Sequence, residues 1–129
     1  MNKINNAAGP TRLGAWGEQA AAEYLSGLGW RVVARNWRGD GGELDLVALE
    51  PVEGAPPVGV VVEVKCRRGT GFGDPLEAIT RQKNSRLRRL AGQWWQACSQ
   101  PLSGLRLDAV GIVKVPGIRP RITHVRGIQ

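Results

Sequence analysis

A run of valines from Val60 to Val64, interrupted only by Glu63, constrains this chain more than any other segment. Side chains alternate between the two faces of a strand, so valine dominates both faces here. A strand that is apolar on both faces is normally covered on both sides. The run therefore predicts a buried central strand, with a carboxylate where an unpaired charge costs on the order of several kcal/mol.

The buried charge of Glu63 requires a partner. Lys65 shares the strand face of Glu63, about 7 Å further along, and can offset one negative charge. The preceding strand, Glu43 to Leu49, brings a second inward carboxylate, Asp45. Two carboxylates and one lysine on neighbouring strands favour a divalent cation. This layout is typical of a metal-dependent phosphodiesterase site.

A third acid lies on the first predicted helix, Thr11 to about Leu28. Ala21, Leu25 and Leu28 form an apolar stripe, and projecting it back by three residues reaches Glu18. Glu18 then points toward the core side. The alternative is an acid near the helix start that is favoured only by the helix dipole, and the spacing does not separate the two.

The remaining pattern predicts an α/β domain with a central mixed sheet of five strands flanked by helices. Residues 1–10 are expected to be a disordered tail, and residues 11–129 a single domain. The prolines of the segment Pro51 to Pro57 predict a loop that cannot continue a ladder. Asp74-Pro75-Leu76-Glu77 has the features of a helix start, and the second helix is expected to follow from about Thr80 to Ala97. The expected strands are Trp30 to Trp37, Glu43 to Glu50, Val58 to Cys66, Leu105 to Val113 and Arg121 to Val125.

A net charge of +7 indicates a polyanionic partner, with nucleic acid first. The second helix carries five cations, and no acid occurs between Glu77 and Asp108, so bound phosphate would relieve their repulsion. A merely solvated face is the alternative. Arg67 and Arg68 open a glycine-rich segment ending at Gly73, interpreted as a flap toward a polyanion or as a plain strand-to-helix connection. The five helix cations are Arg81, Lys83, Arg86, Arg88 and Arg89.

Several classes of protein are disfavoured. Cys66 and Cys98 have no metal-binding or redox spacing, which favours reduced thiols and a cytoplasmic location. No stretch approaches the roughly 18 apolar residues of a membrane span, and no nucleotide-binding loop is present, so no membrane partner and no small-molecule cofactor are expected. His124 is far in sequence from the acids named above and receives no catalytic role.

Taken in order, these motifs resemble the PD-(D/E)XK endonuclease-like superfamily. More narrowly, they are similar to the YraN-like (UPF0102) family of small bacterial proteins, which resembles archaeal Holliday-junction resolvases. The resemblance rests on the runs Gly17-Glu18, Arg35-Asn36, Gly42-Glu43-Leu44-Asp45-Leu46, Val62-Glu63-Val64-Lys65, Phe72-Gly73 and on Lys83. Leu44 stands where the superfamily has a proline before the aspartate.

The resemblance implies a restriction-endonuclease-like core and a nuclease site. Asp45 and Glu63 would hold Mg²⁺ or Mn²⁺, Glu18 would complete the acidic cluster, and Lys65 would orient or activate the attacking water. The expected partner is DNA, including branched or junction DNA. It would be contacted by Arg67, Arg68, Lys83, Arg86 and Arg89. Resolvase-like chemistry often uses a symmetric dimer, which leaves a homodimer open.

Two other functions remain open at this stage. The first is a DNA-binding module that keeps the fold without catalysis. The second is an interaction protein in which the acids and the lysine form only a buried salt-bridge network. Metal-dependent cleavage separates the enzyme from both, and DNA binding separates the module from the interaction protein.

Overall fold

The computed structural model of the protein describes residues 12–69 and 81–128, with only the backbone at 81–83. The sheet and its flanking helices confirm the predicted α/β fold. The predicted tail, the cap at Thr11, residues 70–73 of the glycine-rich segment and the helix start at Asp74 lie outside the described residues. The elements in chain order are α1 (Arg12–Gly27), β1 (Arg31–Gly39), β2 (Gly42–Val52), β3 (Ala55–Arg68), α2 (Arg81–Ala97), β4 (Gly104–Lys114) and β5 (Arg121–Arg126).

The five strands form one mixed sheet in the order β1-β2-β3-β4-β5. The first three strands are antiparallel neighbours, β3 and β4 are parallel, and β4 and β5 are antiparallel. The valine-rich β3 is the middle strand. This position explains its composition, because a middle strand is paired along both edges and covered by a helix on each face.

The two helices cover opposite faces of the sheet. Ala21 and Leu25 of α1 pack with the face of β3 that carries Val60 and Val62. Apolar residues of α2 pack on the other face, which carries Val61. The predicted α2 stripe of Leu87, Leu90, Ala91 and Trp94 is buried as expected. Both faces of β3 therefore lie in a core, as its sequence predicts.

Two local predictions are wrong. The segment Pro51 to Pro57 does not end the ladder, since β2 and β3 continue as a hairpin to the pair Val52 and Ala55. The register shifts between Glu50 and Val52, so Pro51 lies in the irregularity, where a strand tolerates a residue without an N–H. Leu28 is 42% exposed, because it follows the last residue of α1 and leaves the helical stripe.

The sheet opens between β2 and β3 at one end. Pairing between these two strands reaches Leu46 and Val62 and goes no further in that direction. Beyond that point β2 stays paired with β1, through Leu44 and Trp37, while β3 stays paired with β4. The residues next in line on the two separating strands are Asp45 and Glu63.

Candidate active site

Asp45 bridges the opening between the two strands. Its Oδ2 atom accepts a hydrogen bond of 2.8 Å from the backbone N–H of Val64. The side chain thus accepts a hydrogen bond from a β3 backbone N–H that the β2 backbone no longer reaches. This contact fixes the carboxylate beside Glu63, which is 5% exposed.

The two carboxylates strongly affect each other. Burial of Asp45, the negative charge of Glu63 and a hydrogen bond between the two side chains raise the pKa of Asp45 to about 8. The Val64 N–H acts in the opposite direction, and the charge of Glu18 adds to the rise. Near neutral pH and without a cation, this geometry favours one shared proton over two free charges.

Lys65 supplies the nearest positive charge. Its Nζ atom lies 3.5 Å from Oε2 of Glu63, which confirms that the two side chains share a face of β3. One ammonium group faces two adjacent carboxylates, so the site retains a negative charge when both are ionised. A partly buried site with this imbalance attracts a cation or a proton.

Glu18 lies near the pair but belongs to a separate contact. Its Oε1 atom accepts a hydrogen bond of 3.0 Å from Nδ2 of Asn36 on β1. Burial raises the pKa of Glu18, and the charges of Glu43 and Glu63 add to the rise, against the hydrogen bond from Asn36. Within residues 12–69 and 81–128, no group of three or more His, Cys, Asp or Glu side chains could hold a metal ion. The structure therefore brings Asp45 and Glu63 together, and the role of Glu18 as a third ligand stays a prediction.

Asn36 is a site residue whose role the sequence did not reveal. It has a φ of 48°, a left-handed conformation that asparagine adopts more readily than most residues. Its amide can then reach Glu18 on α1 while the next residue, Trp37, still pairs with β2. The only signal was its place in the Arg35-Asn36 run, which indicates no contact by itself.

The predicted phosphate-contacting arginines lie at the same end of the sheet as Asp45 and Glu63. Atoms of Arg86 and Arg89 on α2 approach the turn between β1 and β2, close to Gly42 and Gly41 respectively. Arg67 and Arg68 end β3, a few residues beyond Lys65. None of these four arginines forms an ion pair with a carboxylate among the described side chains. The side chain of Lys83 lies outside the described part of the chain.

A second buried acid, Asp108 on β4, has entirely different surroundings. It is 0% exposed and accepts hydrogen bonds from Nε and Nη2 of Arg106, at 2.8 and 3.0 Å. Nε2 of His124 lies 2.8 Å away and the Gly127 N–H 3.1 Å away. His124, isolated in sequence, is therefore not isolated in the fold, and its Nδ1 lies 3.0 Å from the Tyr24 hydroxyl. Every polar atom of this imidazole and carboxylate has a partner, which indicates a structural role.

No helix within residues 12–69 and 81–128 is long and apolar enough to cross a membrane.

Comparisons with known proteins place the chain in a family. Residues 17–112 match the model of the "Uncharacterised protein family UPF0102". A UPF0102 protein of Nocardia farcinica is 46% identical over 116 residues, covering 90% of this chain and 87% of the relative. One from Mycobacterium ulcerans is 44% identical over 117 residues, covering 91% and 93%. One from Clavibacter michiganensis subsp. michiganensis is 46% identical over 114 residues, covering 88% and 92%.

The matched region begins one residue before Glu18 and includes Asp45, Glu63 and Lys65. The PD-(D/E)XK assignment drawn from the sequence fits this family and the observed α/β sheet. The chain belongs to the UPF0102 family.

Proposed function

We propose that this protein is a metal-dependent endonuclease that hydrolyses DNA phosphodiester bonds, including those of branched or junction DNA. The observation that carries the proposal is the pair of adjacent carboxylates, Asp45 and Glu63, with Lys65 where β2 and β3 separate. A buried pair of like charges is costly in a purely structural role. It is useful where a cation and a phosphate must meet.

The donor set fits Mg²⁺ or Mn²⁺. These hard cations prefer carboxylate oxygens, and Mg²⁺ is commonly held by one or two carboxylates while water and substrate phosphate complete its shell. Asp45 and Glu63 satisfy that requirement without a third side chain. A cation held there would place positive charge beside the phosphate under attack and make water more acidic.

The other residues have distinct roles in this proposal. Lys65 places its ammonium group next to the acid pair, where it can orient the attacking water or stabilise charge that develops on the phosphate oxygens. The N–H of Val64 holds Asp45 in position. Asn36 holds Glu18 at the margin of the site, from which its charge still acts on Asp45.

The test is a cleavage assay on duplex, single-stranded, flapped and four-way-junction DNA, with and without Mn²⁺. Lys65→Ala should cut about 100-fold to 1,000-fold more slowly, since one pre-organised charge is worth about 3 to 4 kcal/mol of barrier, while DNA binding stays near native. Arg31→Ala is the matched control, because it also removes one positive charge, from an exposed side chain at the far end of the sheet.

Removing Lys65 also leaves Glu63 without its cation, so thermal melting with Mg²⁺ present must show that the variant is folded. A folded Lys65→Ala variant that cuts at the native rate would remove the mechanism. If the native chain cuts none of the DNA forms with any divalent metal but still binds them, the protein is a DNA-binding module that keeps the nuclease fold. If it neither cuts nor binds, the acid pair belongs to an interaction protein.

A further inference from the structure

The ends of β4 and β5 differ in how their cations are paired. Near one end, Arg106 and Arg126 form ion pairs of 2.7 and 3.0 Å with Glu50. Near the other, Lys114, Arg119 and Arg121 form no ion pair with a carboxylate among the described side chains. The chain has no Asp or Glu after Asp108. We call Arg68, Lys114, Arg119 and Arg121 the tip cations.

Two of the tip cations are adjacent as well as unpaired. Arg68 and Lys114 lie directly opposite each other on β3 and β4, so their side chains share a face. Arg121 pairs in register with Val113, so its side chain lies on the other face at the same end of the sheet. The charges of Lys114, Arg68 and Arg67 all act on the Cys66 thiol, lowering a pKa that burial raises. Like charges on facing strand positions destabilise a sheet unless an anion lies between them.

Lys114 is also held in place. Its Nζ atom lies 4.4 Å from the ring centroid of Trp16 on α1, a cation–π contact that restricts a side chain otherwise free to rotate. Arg68, Arg119 and Arg121 are exposed. The region thus combines an oriented lysine with three arginines that solvent can reach, as a site for several phosphates requires.

The position of the tip cations relative to the acid pair fits an extended polyanion. The tip cations lie at the same end of the sheet as the opening between β2 and β3, since Arg68 follows Lys65 by three residues on β3. Arg86 and Arg89 approach that end from the opposite side, at the turn between β1 and β2. Three strand spacings separate β2 from β5, about 14 Å, which corresponds to about four phosphates along one strand of a duplex.

We propose that the tip cations form a second phosphate-binding surface, so that DNA crosses the opening with the acid pair between two cationic contacts. α2 holds the DNA on one side of the cleavage position and the end of the β4–β5 hairpin holds it on the other. This inference rests on the proposed function for its choice of DNA as the polyanion. It predicts a binding contribution from Lys114, Arg119 and Arg121, which are not among the DNA-contacting residues predicted from the sequence.

The test measures binding of a labelled duplex by fluorescence anisotropy across a salt series, in EDTA so that cleavage plays no part. The double variant Arg119→Ala/Arg121→Ala should show a log–log salt slope less steep by roughly 1.8, or about 0.9 for each lost contact. The matched control is Arg31→Ala, compared with Arg121→Ala alone. It removes one exposed positive charge at the opposite end of the sheet, where Arg31 pairs with Leu49.

The control should keep the native slope, and Arg119→Lys/Arg121→Lys should keep it as well because the charge is retained. Melting curves verify that each variant is folded. A native slope in folded Arg119→Ala/Arg121→Ala, an equal change in the control, or no DNA binding by the native chain would overturn the inference. Because the assay contains no metal, loss of the proposed cleavage activity would leave its outcome unchanged.

Discussion

Asp45 and Asp108 are the same residue type in the same sheet, yet their surroundings have opposite effects. Asp45 lies beside another carboxylate, and burial with that neighbour raises its pKa to about 8. Burial would also raise the pKa of Asp108, but hydrogen bonds from Arg106, His124 and the Gly127 N–H outweigh it and lower the pKa. Burial alone therefore does not distinguish a structural acid from a functional one. The sign of the contacting charge does.

The difference extends to the neighbouring groups. Around Asp108, two arginines and two carboxylates form a balanced network in which Glu50 binds both Arg106 and Arg126. Around Asp45, two adjacent carboxylates face the single ammonium of Lys65, and the charge of Glu18 also acts on Asp45. The first set is complete within the chain. The second is not balanced within the chain and attracts a cation or a proton, which is the basis of the proposed metal site.

The largest expected effect on the free energy of unfolding comes from Asp108→Asn. The same isosteric change at Asp45 provides the comparison. Removing one partner of a buried charge network typically costs about 3 to 5 kcal/mol, and here it leaves Arg106 short of an anion and directs an amide N–H group at other donors. Urea unfolding should show a loss of about 3 kcal/mol in the free energy of unfolding. A stability within about 0.5 kcal/mol of native would mean that the network is not structural.

At the other position, Asp45→Asn should be neutral or stabilising in the metal-free protein. The amide can accept from the Val64 N–H and donate to Glu63, as the protonated carboxyl does, but carries no charge to repel Glu63. We expect a gain of at least roughly 1 kcal/mol at pH 8 to 9, because the native carboxylate is ionised there against a raised pKa, and each unit of raised pKa corresponds to about 1.4 kcal/mol. A loss similar to that of Asp108→Asn would remove the contrast between the two acids.

Stability should also vary with pH in opposite directions at the two sites. The folded-state pKa of Asp45, about 8, exceeds its unfolded value of about 3.9, so its contribution is complete below about pH 4 and is lost as pH rises toward 8. The lowered pKa of Asp108 gives a contribution present above about pH 4 and lost at lower pH.

Urea midpoints of the metal-free protein between about pH 4 and pH 9 measure the Asp45 contribution. The decline of the urea midpoint with rising pH should be shallower in Asp45→Asn than in the native chain. Mn²⁺ should remove the decline in the native chain and leave the variant unchanged. Parallel pH profiles for the two proteins would contradict the assignment of the raised pKa to Asp45.

The smallest expected effect on folding comes from the unpaired arginines of α2. Arg86→Ala/Arg89→Ala should leave the melting temperature near native, because both side chains are exposed and no described carboxylate pairs with them. The variant should weaken DNA binding across sequences and make the salt slope less steep by roughly 1.8. An unchanged slope in the folded variant would show that this face is only solvated. Arg86→Lys/Arg89→Lys is the control, because it keeps both positive charges.

The parts of this fold that the sequence predicted depend on local patterns. The valine run identified β3 as a central strand, and the spacing of Leu87, Leu90 and Trp94 identified the buried face of α2. Alternation along β3 placed Glu63 and Lys65 on one face. Each of these conclusions depends only on residues that are close in sequence, within about two turns of one helix or within one strand.

The contacts that the sequence did not predict join distant segments. Asn36 and Glu18 are 18 residues apart, and Tyr24 and His124 are 100 apart. No periodicity relates such pairs, so the network around Asp108 became visible only in the fold. The loop prediction for Pro51 to Pro57 was wrong for a different reason. A register shift in the β2–β3 hairpin lets the strand accommodate a proline, which has no backbone N–H to donate.

The most direct test of the central claim is calorimetric titration of Mn²⁺ into the native chain and four variants. The account predicts that the native chain, Glu53→Gln and folded Asp108→Asn bind Mn²⁺ alike, because neither change touches the acid pair. Asp45→Asn and Glu63→Gln should bind far more weakly, since each removes one of the two carboxylates that the cation contacts. Equal Mn²⁺ binding by the native chain, Asp45→Asn and Glu63→Gln, or none by the native chain, would contradict the assignment of Asp45 and Glu63 as a metal site.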